Sequence, residues 1–367
     1  MAPIAENPYM ENKKIAEYDV VRVIVTMLVI VGHCTYYKLG APNGGCDYTA
    51  LTHSGLSKFY IMVEKLTAII YLFHMPLYMA LSGALLRHKE INGGGYDSIA
   101  SLIKDKSKKL LLPFVVVLLL YAVPLKAISG FYAKSTNVFK DILTNEVFIQ
   151  QGFYLWFLPV LFMIFLIHHI VEKKMHIRKP YKLVFMYVAL LLHSVIPINA
   201  IRLIAKFIMW FYVGYYFEEY REKANAHISL KTLFIIGSIF VALSYIYSTI
   251  HDSAGIDILG AVRLALAPIC AVVGCAFVYG ISFLLSSTAL PATRIFNVLR
   301  NNTFGMYLYS DPWNYVVLAV LVHFIGKAVF VADWGSALMY FSRILITGGV
   351  SLSFSIFLKK KGIRYIC

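Results

Sequence analysis

Long apolar runs dominate the chain, and they restrict its fold more than any other feature of the sequence. Ten stretches of about 18 or more mostly apolar residues recur, and this is the length that crosses a hydrocarbon core of about 30 Å. A backbone inside lipid must satisfy its own polar groups, so such runs predict α-helices. We therefore expect an all-α, polytopic membrane bundle of about ten transmembrane helices. The approximate centres of the runs are Val29, Ile70, Val117, Met163, Ala189, Met209, Ile239, Ala271, Val317 and Leu345.

The number of spans has alternatives, because only Pro197 and Asn199 interrupt the apolar stretch over residues 181–217. Nine or eleven spans are therefore also compatible with the sequence. A hydrophobic content of 59 %, a charged content of 14 % and a mean hydropathy of +0.70 exclude a water-soluble globule. We expect residues 1–367 to form a single membrane-embedded domain, with short cytoplasmic segments at residues 1–17 and 359–367.

Lysine and arginine are divided unevenly between alternate loops. One set of loops carries 22 of these residues, and the other set carries only Lys38, Lys58, Lys126, Lys134, Lys140 and Lys327. The positive-inside rule places the richer set, and with it both termini, in the cytoplasm. The formal net charge of +15 is then explained by orientation and by anionic lipid headgroups, which the membrane supplies as a partner. Because the basic residues are scattered and form no aromatic-interleaved stripe, we expect no nucleic-acid partner.

Arg22 and His33 stand out on the first apolar run. Ionisable side chains within a span are costly and are functional candidates. Ten residues lie between them, so a helix would take eleven steps from one to the other. These steps place the two side chains within about 20° of each other around the helix, with a rise of about 16.5 Å. The alternative is that Arg22 reaches the cytoplasmic headgroups and His33 is an ordinary polar residue of the bundle. Their shared face favours a catalytic pair.

Two further polar residues are predicted at the depth of His33. Counted at 1.5 Å per residue from the cytoplasmic boundaries, His33 and His74 both lie roughly 20 Å deep. Asp311 lies roughly 15 to 17 Å deep by the same count from Arg300, so it is a candidate partner for a histidine. The alternative is that Asp311 satisfies a kink at Pro312.

Other candidates are weaker. Trp156 is a candidate substrate platform, with an outer aromatic belt as the alternative. Arg202 and Arg263 are candidate substrate-binding residues in the predicted outer half of the bundle, together with Lys206 and Arg343, and the alternative is that all four extend to the membrane surface. His168 and His169 are expected at the cytoplasmic interface. No histidine or carboxylate spacing typical of a metal site is present, so we expect no metal.

Several segments together resemble the acyltransferase 3 family of bacterial integral-membrane O-acyltransferases. They are the pair Arg22 and His33 after Asp19, FHMPLYMALSG, KSKKLLLPF, YLWFLPVLF, FYVGYYFEE and NNTFGMYLY, in that order along nearly the whole chain. The resemblance implies about ten helices in a bacterial cell membrane, an acyl-CoA donor on the cytoplasmic side, and a sugar or glycan hydroxyl as acceptor. It also implies that Arg22 and His33 are the residues associated with activity. One departure is that this chain has Asp311 where family members commonly carry a histidine.

The resemblance leads to a mechanistic hypothesis. We expect His33 to act as the general base or as a transient acyl carrier, oriented by His74 or Asp311. Arg22 is expected to bind the phosphates of acetyl-CoA or another acyl-CoA, and the alternative is that it acts on the acyl carbonyl. The main rival function is a transporter or flippase of a glycan or lipid-linked sugar, in which the same residues would line a path. The sequence leaves the oligomeric state open.

Overall fold

The computed structural model describes residues 15–35, 51, 55–133, 135–150, 154–175, 177–251, 258–363 and 366. Ten long helices account for most of this part of the chain, and no strand occurs in it. The ten are α1 (Ala16–His33), α2 (Lys58–Ile91), α3 (Ile99–Ile128), α4 (Phe157–Lys174), α5 (Lys179–Leu192), α6 (Asn199–Phe217), α7 (Leu230–His251), α8 (Ile258–Ser286), α9 (Arg294–Ile325) and α10 (Asp333–Lys360). α3 is continuous but contains two π-helical turns, at Ser107–Leu111 and Leu118–Ala122.

The predicted all-α membrane bundle is confirmed. Each of the ten predicted centres lies in one of the ten helices, and seven helices are long and apolar enough to cross a membrane. The other three helices, α1, α5 and α9, do not reach this length or apolar content. α1 has three charged residues within its first two turns, α5 has only 14 residues, and α9 has polar residues in its middle. The number of spans and the side of each terminus stay predictions. Of the basic residues used for the orientation, Lys13, Lys14, Lys38, Lys134 and Arg364 lie outside the described residues.

Helices α2 and α6 pack almost backbone to backbone. A Cβ atom added to Gly83 would lie 2.0 Å from the carbonyl oxygen of Phe211, and one added to Gly214 would lie 1.8 Å from that of Ala80. Neither glycine can therefore be replaced without separating the helices. Small residues are the usual means of close approach in membranes, where burial of apolar surface does not drive helix association.

Helices α9 and α10 pack along most of their length through a polar seam. Ser336, Thr347, Ser351 and Ser355 recur on one face of α10 and are completely buried. The Ser355 hydroxyl donates to Oδ1 of Asn302 on α9 at 2.8 Å. Interhelical hydrogen bonds of this kind stabilise membrane bundles. The seam fixes α9, which carries Asp311, against α10.

Ion pairs join the helices at the end of the bundle that is predicted to be cytoplasmic. Arg221 pairs with Glu17 at 2.6 Å and with Glu218 at 3.0 Å, and thereby connects α1 to the end of α6. Arg87 on α2 pairs with Glu219 at 2.8 Å. These contacts hold α1, α2 and α6 together where α1 begins, and so fix the position of the helix that carries Arg22 and His33.

Candidate active site

Helix α1 carries Arg22 and His33 without interruption, as the spacing predicts. The two side chains do not share one site, however. His33 lines a cavity of about 730 Å³ and Arg22 lines another of about 340 Å³. We call these the histidine cavity and the arginine cavity. α1 therefore connects two chemically different cavities, and each has to be described separately.

The histidine cavity contains most of the predicted site residues. His33, His74, Trp156 and Arg263 line it, together with Lys206. The Trp156 ring stacks on Phe207, with ring centroids 4.9 Å apart, so this tryptophan belongs to the cavity wall. The Arg263 guanidinium lies 5.6 Å from the centre of the Tyr247 ring, which also faces the cavity. The cavity is aromatic, with two cationic side chains in its lining.

His33 and Asp311 form a direct pair. Nδ1 of His33 lies 2.9 Å from Oδ1 of Asp311, and the two side chains are only 14 % and 8 % exposed. Because a carboxylate can only accept, the pair favours the tautomer with the proton on Nδ1, and that tautomer leaves Nε2 as the basic nitrogen of the ring. Tyr315, one turn further along α9, lies near the Asp311 carboxylate. The predicted proximity of His33 and Asp311 therefore holds, and the pair has the arrangement of a carboxylate that orients a histidine base.

The backbone carbonyl that the kink at Pro312 leaves free has a partner other than Asp311. Proline lacks an N–H, so Pro312 leaves the carbonyl of Leu308 without its helical donor. The Tyr154 hydroxyl donates to that carbonyl at 2.8 Å. The carbonyl that the kink frees is therefore bonded by Tyr154, and the role of Asp311 stays a prediction.

His74 is close to His33 but is held by its own helix. Its Nδ1 atom lies 2.9 Å from the carbonyl oxygen of Ile70, and its side chain is almost fully buried. The Tyr71 ring lies between the two histidines, stacked beside His33 with centroids 6.4 Å apart and edge-on to His74 at 4.5 Å. A Cβ atom on Gly32 would lie 3.1 Å from Tyr71, so the glycine admits this ring. The sequence analysis missed Tyr71, although it lies three residues before His74.

The arginine cavity is lined by three cationic side chains. Arg22, Arg300 and Lys359 come from α1, α9 and α10, whose ends meet at this cavity. Asp19 lies 3.4 Å from Nη1 of Arg22 and 3.5 Å from Nη1 of Arg300, so one carboxylate holds both arginines. Arg300 and Lys359 entered the sequence analysis only as basic residues near the membrane boundary. Three cations against one carboxylate make the cavity suited to an anion.

The two cavities meet at a shared wall. Met75 and Tyr307 line both of them. The Tyr307 hydroxyl donates to the carbonyl of Tyr154 at 2.9 Å, which fixes the orientation of its ring. The flexible thioether of Met75 and the ring of Tyr307 therefore form the wall that the two cavities share inside the bundle.

The other predicted residues have different surroundings. Arg202 donates from Nε to the carbonyl of Ile196 at 2.9 Å and is not among the residues that line the histidine cavity. His168 is buried among aromatic rings of α6, and its Nε2 atom lies 3.9 Å from Glu90 near the end of α2, so its place at the cytoplasmic interface stays a prediction. Arg343 is completely buried, so the alternative in which it extends to the membrane surface is wrong.

His193 follows α5 and lines the same cavity. Burial is the main cause that lowers the pKa of His193, and the nearby charges of Lys206 and Arg202 add to it, against a bond to the carbonyl of Leu190. The lowered pKa favours the neutral form of His193. Within the described residues, no group of three or more histidine, cysteine or acidic side chains is arranged to hold a metal ion.

The chain was compared with protein families, curated proteins and solved structures. Residues 15–360 match the acyltransferase 3 family model, described as an acyltransferase domain. No curated protein and no solved structure matches the chain. The family match spans all ten helices and both cavities, and seven of these helices can cross a membrane. The chain therefore belongs to the acyltransferase 3 family and is a multi-pass membrane acyltransferase.

Proposed function

We propose that this protein is an O-acyltransferase of a bacterial cell membrane. It transfers an acyl group, which we propose to be acetyl, from acyl-CoA to a hydroxyl of a cell-surface or lipid-linked sugar. The observation that carries this proposal is the contact between the two cavities at Met75 and Tyr307. On one side lie cations suited to a phosphorylated donor. On the other side lies a histidine–carboxylate pair suited to activating a hydroxyl.

The arginine cavity is the proposed donor site. Coenzyme A carries several phosphates, and the guanidinium groups of Arg22 and Arg300 can each bind a phosphate through two hydrogen bonds. Lys359 adds a third positive charge. The rise of about 16.5 Å from Arg22 to His33 is of the order spanned by an extended pantetheine arm. The thioester can then reach the shared wall while the nucleotide stays near the predicted cytoplasmic face.

The arrangement of the three cations bears on the role of Arg22. Its guanidinium shares Asp19 with Arg300, at the opposite end of α1 from His33. This placement supports phosphate binding over contact with the acyl carbonyl, because the reacting carbon has to lie near His33. Arg22 is therefore proposed as a donor-binding residue.

The histidine–carboxylate pair is the proposed site of chemistry. Nε2 of His33 removes the proton of the acceptor hydroxyl as its oxygen attacks the thioester carbonyl carbon. A C–O bond forms, the C–S bond breaks, and the departing thiolate takes the proton back from the imidazolium. Asp311 keeps Nδ1 protonated and stabilises the imidazolium. If His33 instead carries the acyl group transiently, the same Nε2 atom attacks the thioester first.

The histidine cavity is the proposed acceptor site. Its volume of about 730 Å³ lies within the range of about 300 to 1,000 Å³ that is usual for ligand pockets. The Trp156 and Tyr247 rings offer flat apolar faces against which a sugar ring can pack. Lys206 and Arg263 provide donors for hydroxyl or anionic groups of the acceptor. Arg202, held by loop carbonyls, is proposed to support this wall from outside.

The test is acyl transfer by the purified protein in nanodiscs. The protein is mixed with radiolabelled acetyl-CoA and a panel of sugars and lipid-linked sugars, and ester formation is measured. We expect labelled ester with the wild type and none above background with His33→Ala. His323→Ala is a matched control, because His323 is exposed at the other end of α9 and touches neither cavity.

Two results would contradict the proposal. Acetyl-CoA binding that is equally tight with the wild type and with the double variant Arg22→Ala and Arg300→Ala would remove the arginine cavity as the donor site. Movement of a lipid-linked sugar across the bilayer without ester formation would favour the transporter. Label that is trapped on the wild type but not on His33→Gln in the absence of acceptor, detected without an acid quench because N-acyl imidazoles hydrolyse in acid, would identify the acyl carrier form of the mechanism.

A further inference from the structure

Helix α1 ends inside the bundle, at the residue proposed to do the chemistry. His33 is the last residue of α1 and Cys34 follows as its cap. The last carbonyl groups of a helix have no partner within that helix. Within a membrane they must find donors in the surrounding protein. The donor that satisfies this helix end also determines where the His33 backbone lies.

Arg343 on α10 is that donor. Its Nη1 atom donates to the carbonyl of Cys34 at 2.8 Å and its Nη2 atom to the carbonyl of His33 at 3.2 Å. The Arg343 side chain is completely buried. A positive charge at the C-terminus of a helix also interacts favourably with the helix dipole. The guanidinium therefore holds two successive carbonyls, one of which belongs to His33 itself.

The same guanidinium also reaches the helix that carries Asp311. Nε of Arg343 donates to Oδ1 of Asn314 on α9 at 3.1 Å. Asn314 lies three residues after Asp311, on the same side of α9 and one turn further along. The Cys34 thiol donates to the same Asn314 oxygen at 3.3 Å. Arg343 thus joins the backbone of His33 to the turn of α9 that presents its carboxylate partner.

We propose that Arg343 is a positioning residue, which sets the distance between His33 and Asp311 by binding the end of α1 and Asn314 at once. This inference rests on the proposed role of His33. The fork of an arginine is suited to the task because its donors are fixed in one plane. A lysine keeps the positive charge but has a single nitrogen, so it cannot hold both helices in the same geometry.

The first experiment compares Arg343→Lys with the matched control Arg294→Lys, which is exposed at the start of α9. Both proteins are purified in nanodiscs, their thermal midpoints are measured, and kcat and the donor KM are determined. We expect Arg343→Lys to lower kcat at least tenfold with an unchanged donor KM, because the donor cavity lies at the other end of α1. We expect the control to match the wild type in both constants. An Arg343→Lys variant with wild-type kcat would overturn the proposal.

The second experiment does not depend on activity. Histidine labelled with ¹⁵N reports which ring nitrogen is protonated, and the signal of His33 is assigned by its loss in His33→Gln. We expect the wild type to show His33 protonated at Nδ1. We expect Arg343→Lys to show a mixture of the two tautomers, and we expect the same of Asp311→Asn. A wild-type signal in Arg343→Lys would overturn the positioning role even if the acceptor sugar were never found.

A variant of Asn314, the residue on α9 that Arg343 binds, covers the case in which Arg343→Lys fails to fold. Asn314→Ala leaves both carbonyl bonds of Arg343 in place and removes the contacts of the Arg343 guanidinium and of the Cys34 thiol to α9. We expect it to fold, to lower kcat less than Arg343→Lys would, and to broaden the His33 signal. Unchanged kcat together with an unchanged ¹⁵N signal would contradict the proposal. If neither the wild type nor any variant transferred acyl groups, the proposed function would fail, and the tautomer measurement would still decide the role of Arg343.

Discussion

The two cavities joined by α1 differ in the kind of group that they can bind. The arginine cavity has about 340 Å³ and three cations, which converge from three helices around Asp19. The histidine cavity has about 730 Å³, and its lining is largely aromatic and apolar with one histidine–carboxylate pair at its edge. The smaller cavity can hold charge, and the larger one can perform proton transfer. The histidine cavity also has Lys206 and Arg263 in its lining, but it lacks the cluster of three cations around one carboxylate, so we assign the charged donor to the arginine cavity.

This difference makes the two ends of α1 separable by mutation. A change at the His33 end should alter the rate of the chemical step, and a change at the Arg22 end should alter the binding of the donor. A variant at one end of α1 that changed both kcat and the donor KM would show that the two cavities do not act separately. The three predictions that follow test it in order of expected size.

The largest effect is expected at Asp311. Asp311→Asn keeps the size of the side chain but removes the negative charge that stabilises the imidazolium, and its NH2 group can face Nδ1 of His33 and favour the other tautomer. We expect kcat to fall by about two to four orders of magnitude, and the upper end is the loss known for carboxylates that orient a catalytic histidine. The donor KM should stay within about twofold, because the phosphate-binding end is untouched. The measurement is steady-state transfer at saturating acceptor.

Asp97→Asn is the matched control for this variant. Asp97 is exposed in the loop between α2 and α3 and should behave as the wild type. If Asp311→Asn kept full kcat and only melted at a lower temperature, Asp311 would be structural, and the histidine cavity would lose its proton-transfer pair.

A smaller effect, on a different constant, is expected at the arginine cavity. Arg22→Ala should raise the donor KM about 10- to 100-fold, because a charge-assisted phosphate contact contributes about 1.5 to 3 kcal/mol. The value of kcat should change little. Isothermal titration with acetyl-CoA and with its dephosphorylated analogue measures the same loss directly. Arg178→Ala, in the exposed segment before α5, should leave both constants unchanged. A loss of kcat with unchanged donor affinity would instead place Arg22 at the acyl carbonyl.

The smallest effect is expected at the wall of the histidine cavity. Trp156→Phe shortens the aromatic face beside Phe207 and should raise the acceptor KM about three- to tenfold, in line with about 0.5 to 1.5 kcal/mol for an aromatic contact. The donor KM should not move. Trp334→Phe is a suitable control because Trp334 is 62 % exposed. Equal effects on donor and acceptor would mean that Trp156 supports the fold rather than the acceptor.

Much of this arrangement could be predicted from the sequence. Hydropathy located each of the ten helices, since a backbone in lipid has few alternatives to a helix. Residue counting at 1.5 Å per residue brought His33 and Asp311 to similar depths, and their side chains are 2.9 Å apart. This count worked because α1 is continuous from Asp19 to His33 and α9 is continuous from Arg300 to Asp311.

The contacts between helices could not be predicted in this way. Arg343 was expected by default at the membrane surface, because hydropathy describes its depth but not the carbonyls of α1 that it meets. Arg300 and Lys359 were counted only for orientation, since their convergence on Arg22 depends on how α9 and α10 pack. Arg202 was predicted to bind substrate because it lies one helical turn before Lys206. Its side chain donates to the carbonyl of Ile196 instead. Each of these outcomes depends on packing, which a single sequence does not contain.

The most direct test of the central claim is acyl transfer in sealed proteoliposomes with one protein orientation, fixed by a protease-sensitive tag after residue 367. Labelled acetyl-CoA is supplied only on the tagged side, next to the arginine cavity, and a membrane-impermeant sugar acceptor only on the opposite side. The two-cavity account predicts labelled ester on the acceptor side, abolished by Asp311→Asn and restored in Arg22→Ala by raising the donor concentration. Transfer that occurs only when donor and acceptor are on the same side would contradict it.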